Sequence, residues 1–189
     1  TVDAGNNTLQ LQIENYISTP VGVFAGNGKT TTINAGKLNI ITQGYDSGNS
    51  LTNAIWLDPT IAGEGAININ SDVNICMVGG YGGNGIAVQK TDRWGEASYS
   101  ADKEAAITIN GDVSIKGMDS ESWGIGLNEE NVFSRFNNAG ILTSVEKSSV
   151  TVNGDVDFDV YGNGVTTNAK DSVVTINGGG KITVPSGMN

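Results

Sequence analysis

One phrase recurs along this chain of 189 residues with its apolar positions in register. Residues 66–75 read AININSDVNI, residues 106–115 read AITINGDVSI and residues 149–158 read SVTVNGDVDF. Each is an alternating strand, an asparagine-centred corner and a second alternating strand. A looser copy, TTINAGKLNI at 31–40, precedes them, and VVTINGGGKITV at 173–184 follows. Repetition of this kind marks a stacked, one-dimensional architecture, because each unit buries its apolar face only against its neighbours.

The corner residues Asn34, Asn70, Asn110, Asn153 and Asn177 are 36, 40, 43 and 24 residues apart. The shortest spacing is the informative one. Roughly 24 residues hold three strands of about 4 to 6 residues with their corners, so the longer units carry insertions in that frame. The third strand is predicted after a small residue at 84–88, 123–127, 139–142 and 163–166, and also at 53–57. Side chains alternate across a strand, so aligned positions are stacked positions. One interior column is then Ile33, Ile69, Ile109, Val152 and Ile176. A second face contributes Val73, Val113 and Val156, with Ile75, Ile115 and Phe158. Asn and Gly at the corners point to a bend with left-handed backbone conformation, which these residues tolerate best. Two residues separate the Asn from the next apolar position in the central copies, against Ala35-Gly36-Lys37 in the first and Gly178-Gly179-Gly180-Lys181 in the last.

This pattern resembles the right-handed parallel β-helix. Its Gly-, Asn-, Thr- and Val-rich, acidic and nearly cysteine-free texture is similar to the passenger region of bacterial autotransporters, the type V secreted proteins. The resemblance implies an all-β, pectin-lyase-like solenoid of five to six coils, about three short strands per coil, with inserted loops. It makes residues 1–189 a single β-helix segment of a longer passenger. It also implies a place on the bacterial cell surface, anchored through a C-terminal outer-membrane barrel that is not part of this chain. The Asn-Pro-Asn-Gly and Asn-Pro-Asn-Leu motifs of the two-partner secretion haemagglutinins are absent.

Composition fits an exposed solenoid. Twenty-seven glycines supply many sharp corners, about twice the usual share. Ten basic against twenty acidic residues give a net charge of −10, which disfavours nucleic acid and anionic membranes as direct partners. No apolar run approaches the length of a membrane span, so the segment is not expected to insert. The single cysteine, Cys76, reads as a small core residue, and sparse cysteine suits a chain that crosses a periplasm unfolded.

Enzyme chemistry finds little support. The chain has no histidine, which removes Ser-His and Cys-His nucleophiles and imidazole zinc sites. Its two arginines, Arg93 and Arg135, fall in insertions. A polysaccharide lyase or glycosidase on the same scaffold, run by carboxylates with a basic residue, is the enzymatic alternative. Asp155, Asp157 and Asp159 share the outward side of one strand while Val156, Phe158 and Val160 point inward. Such a ridge reads as a solvated edge that discourages aggregation, with calcium the one cofactor it suggests. Residues 79–86 resemble a single calcium-binding RTX nonapeptide, and such rolls need tandem copies.

Recognition is expected in the insertions, because loops on a rigid scaffold commonly carry it. Residues 43–53, 89–104, 117–123 and 128–138 are these insertions. Arg93, Trp94, Tyr99, Trp123, Arg135 and Phe136 are the candidate partner-binding residues, since aromatic and Arg side chains anchor interfaces and stack on sugars. The expectation is a non-enzymatic adhesin or self-association module, with a sister copy, a host glycan or a host protein as partner. A passive stem that spaces a distal domain is the other non-enzymatic reading.

Overall fold

The computed structural model describes residues 1–15, 21–26, 28–44, 52–60, 64–78, 83–90, 100–118, 139–160 and 162–184. These contain strands and no helix, hence no helix long and apolar enough to cross a membrane. The first strands in chain order are β1 (Val2–Asp3), β2 (Thr8–Asn15), β3 (Val21–Gly26), β4 (Thr30–Gly44) and β5 (Thr52–Asp58). Next come β6 (Gly65–Val78), β7 (Gly83–Val88), β8 (Ser100–Ile109), β9 (Val113–Met118) and β10 (Ala139–Thr143). The last are β11 (Glu146–Val152), β12 (Val156–Asp159), β13 (Val165–Thr167), β14 (Val173–Ile176) and β15 (Gly180–Thr183).

Among the described residues every pairing is parallel, and the pairings fall into three ladders. The first stacks β1, the start of β4, the start of β6, β8, β11 and β14. The second stacks β2, the ends of β4 and β6, β9, β12 and β15. The third stacks β3, β5, β7, β10 and β13. Because β4 and β6 run unbroken through a corner, the first two ladders join into one 10-stranded sheet beside a 5-stranded one. Parallel neighbours cannot be joined by a hairpin, so the chain visits the other two ladders before returning. This is the arrangement of a β-solenoid.

The interior columns follow the aligned repeats. Ile33, Ile69, Ile109, Val152 and Ile176 are in register along the first ladder, and all but the half-buried Ile176 are buried. Ile40, Ile75, Ile115, Phe158 and Ile182 form a row of the second ladder, and Ile55, Ile86, Ile141 and Val165 a row of the third. Each fully buried Ile or Leu contributes about 1.5–3 kcal/mol. A line of small residues, Gly22, Ala54, Gly85, Gly140 and Gly164, opens the third ladder. A Cβ at Gly85 would stand 2.6 Å from Ile115 Cδ1, and one at Gly140 would stand 2.8 Å from Phe158 Cδ2. The small residues therefore make room for the large row opposite. Of the predicted third strands, 123–127 lies outside the described residues, and β10 stacks directly on β7.

The corners correct one expectation in part. Gly180 in the last corner has a positive φ (143), whereas neither the five asparagines nor Gly36, Gly111, Gly154 and Gly178 do. Their composition has two other causes. The asparagines form a continuous amide ladder: Asn70 Nδ2 donates to Asn34 Oδ1 (2.7 Å), Asn110 to Asn70 (2.7 Å), Asn153 to Asn110 (2.6 Å) and Asn177 to Asn153 (2.7 Å). The glycines stack where turns meet. A Cβ at Gly111 would collide with the Ser71 carbonyl, one at Gly154 with Gly111, and one at Gly178 with the Gly154 carbonyl. The longer first corner is absorbed by a register shift between Asn34 and Lys37.

Candidate functional site

The outer side of the second ladder is built from the residues between its inward apolar positions. Alternation places them outward, and the parallel register lines them up along the solenoid. One row runs Gln10, Asn39, Asn74, Ser114, Asp157 and Lys181. The other runs Gln12, Ile41, Cys76, Lys116, Asp159 and Thr183. Asn74 Nδ2 donates to Asn39 Oδ1 at 3.0 Å, so the first row carries its own short amide ladder.

This face divides into two halves of different relief. Toward the N-terminal side, Asn39, Ile41, Asn74, Cys76 and Ser114 are half-buried and, with Gln10, Gln12 and Lys116, line an open groove of about 560 Å³. Toward the C-terminal side, Asp157, Asp159 and Lys181 are exposed. Lys116 and Asp159 occupy adjacent strands of one row, as do Asp157 and Lys181.

A second hollow of about 460 Å³ follows the corner beside this face, lined by Lys37, Asp72, Asp112, Asp155, Asp157 and Lys181 among others. Its carboxylates repeat one local design. Asp72 Oδ1 accepts from the backbone N–H of Asp112 (3.0 Å), Asp112 Oδ1 from that of Asp155 (2.8 Å) and Asp155 Oδ1 from that of Gly179 (2.6 Å). One oxygen of each carboxylate thus joins its turn to the next.

The sequence-derived candidates divide accordingly. Arg93, Trp94, Tyr99, Trp123, Arg135 and Phe136 lie outside the described residues. Asp155, Asp157 and Asp159 do point outward, while Val156, Phe158 and Val160 are buried. Asp155 belongs to the corner stack and the other two to the outward rows. Among the described residues no three acidic, Cys or His side chains gather where they could hold a metal ion. Cys76 corrects the core assignment: it follows the inward Ile75, so alternation turns it to the outer row, where it is half-buried and forms no disulfide.

Lys116, Asn39, Asn74, Ser114, Gln10 and Gln12 were missed as a group. The signal that finds them is the set of positions between the aligned apolar columns. On the third ladder, the outward Phe24 and Trp56 meet edge to face, with ring centroids 5.4 Å apart. The Trp56 indole N–H donates to the Gln89 carbonyl at 2.7 Å, which holds that ring against the wall. Compared with models of protein families, with curated proteins and with solved structures, the chain matches none.

Proposed function

We propose that this chain is a non-enzymatic attachment module that works through the outer face of its second ladder. In this reading it is a right-handed parallel β-helix of five to six coils, part of a secreted bacterial autotransporter passenger displayed at the cell surface. The Gly/Asn-rich repeat texture supports the passenger assignment. The observation that carries the attachment reading is the charge order along the face.

An antiparallel second copy related by a two-fold axis between β9 and β12 sets each row against its own reversal. Lys116 then meets the partner's Asp159, Ser114 the partner's Asp157, and Asn74 the partner's Lys181. The contact is isologous, so each pairing occurs twice. The groove edge at Ser114 and Lys116 of one copy thus receives the exposed Asp157 and Asp159 of the other. Exposed ion pairs contribute roughly 0.2–1 kcal/mol each, so the contact is weak singly and gains strength where many copies are displayed together. At the margin, Asp112 meets the partner's Asp155. That repulsion, with the net charge of −10, opposes the contact; salt screens it together with the attractive pairs, so the salt series reads which of the two dominates.

Sedimentation velocity over a concentration series, in low salt, high salt and calcium, tests this. A reversible dimer is expected, abolished by Lys116→Glu or Asp159→Lys alone and restored when the two are combined. Deletion of residues 91–99, which spares Gln89 and β8 (Ser100–Ile109), reads the contribution of that insertion. A persistent monomer in every condition overturns the homotypic contact and moves the search to host glycans and proteins. A cleavage product from a polysaccharide panel would instead favour the glycan-processing alternative.

A further inference from the structure

The amide ladder at the first corner has a chemical property independent of any partner. Three of its five members precede glycine: Asn110-Gly111, Asn153-Gly154 and Asn177-Gly178. All three asparagines are exposed. Asn-Gly is the sequence most open to intramolecular attack, because glycine offers an unhindered backbone nitrogen. That nitrogen adds to the Asn Cγ, a C–N bond forms, and the side-chain nitrogen leaves as ammonia. Water then opens the resulting five-membered imide at either carbonyl to give Asp or isoAsp. Only water is consumed.

The ladder opposes the first step. Attack requires the side chain to turn toward its own backbone, and the hydrogen bonds along the column hold it away. Asn110 and Asn153 are each held twice, donating to the preceding asparagine and accepting from the next. Asn177, the last member among the described residues, donates to Asn153 and has no ladder donor above it.

We propose that in this 189-residue chain the corner is a one-way chemical ageing site that opens from Asn177, the ladder's last described member. Conversion of Asn177 to Asp replaces the Nδ2 donor with a carboxylate oxygen set against Asn153 Oδ1, acceptor against acceptor. Asn153 then becomes the last member held by the ladder and reacts next, followed by Asn110. Each event adds one negative charge to the corner, and each isoAsp inserts a main-chain carbon where stacked glycines leave no spare room.

Peptide mass spectrometry of the folded chain, held in mildly alkaline buffer and sampled over time, tests this, with the urea-unfolded chain as reference. Deamidation at Asn177 is expected to run about fivefold to tenfold faster than at Asn153 or Asn110, the factor one restraining hydrogen bond supplies. The three sites should react alike when unfolded. In the Asn177→Ala variant, Asn153 should accelerate by a similar factor while Asn110 stays at its folded rate, which also reports that the variant remains folded. A common rate at all three sites in the folded chain overturns the proposal. So does an Asn153 rate that Asn177→Ala leaves unchanged while Asn110 stays slow.

Discussion

At the scale of single residues, the corner glycines Gly111, Gly154 and Gly178 are required by the approach of one turn to the next, and their φ values are unremarkable, whereas Gly180 has a positive φ of 143. Gly111→Ala should therefore destabilise the chain by about 1–3 kcal/mol through overpacking against the Ser71 carbonyl. Gly179→Ala is the matched control, since its Cβ would lie at an ordinary 3.6 Å from Asp155 Oδ1 and should change little. Urea unfolding of the two variants side by side checks the contrast. Among the described non-glycine residues, left-handed backbone occurs at Lys147 (φ 55) and Asp171 (φ 56). A lysine pays for that conformation and an aspartate pays less. Lys147→Gly is expected to stabilise by about 0.5–1 kcal/mol, the strain relieved less the entropy glycine adds to the unfolded chain. Asp171→Gly should gain less in the same denaturation series.

At the scale of the element, stability resides in how the large row of the second ladder meets the small line that opens the third. Phe158 is fully buried, in register with Ile115 and Ile182 and packed over Gly140. Phe158→Ala should cost about 3–5 kcal/mol, because a rigid, stacked wall collapses poorly into the space left behind. The same interior holds two threonine hydroxyls, Thr42 Oγ1 and Thr143 Oγ1, that are buried without a hydrogen-bond partner. Thr143→Val keeps the shape and removes the orphaned group, so it should stabilise by about 1 kcal/mol. A loss of stability in that variant would show that the hydroxyl is satisfied in solution.

At the scale of the whole molecule, a solenoid is a row of nearest-neighbour interfaces, and its stability is graded along the row. The middle units are covered on both sides: Ile67, Ile69, Ile107, Ile109 and Ile115 are completely buried. The last strands are covered on one side only, leaving Val165 36%, Val173 51% and Ile182 44% exposed. Native-state hydrogen exchange should accordingly show greatest protection in β6, β8 and β9 and the least in β13, β14 and β15. Equal protection throughout would mean that the rod opens as a single cooperative unit. The same grading places the charged outer face of β9 and β12 on the better-covered part of the rod.

The repeats by themselves determined the described strands from β4 onward, the corner positions and the interior columns of the first two ladders, because a period-two pattern repeated in register leaves one way to bury every apolar row. The strands β1, β2 and β3 lie ahead of the repeats and were not legible in them. Ile33 through Ile176 and Val73 through Val156 stack in register on the repeat alone. The outward direction of Asp155, Asp157 and Asp159 was legible for the same reason. What the asparagines and glycines do at the corners was not, since an amide ladder and a backbone collision are properties of two turns seen together. Cys76 lay one position beyond an inward isoleucine, and composition obscured what alternation implied. The relief of the outer face was hidden most completely. Lys116 and Asp159, 43 residues apart in sequence, follow the aligned Ile115 and Phe158 and so share a row on the repeat alone. Only the tertiary structure decided that Asn39, Asn74 and Ser114 line a groove while Asp157 and Asp159 stand exposed, because burial depends on how neighbouring turns cover each other.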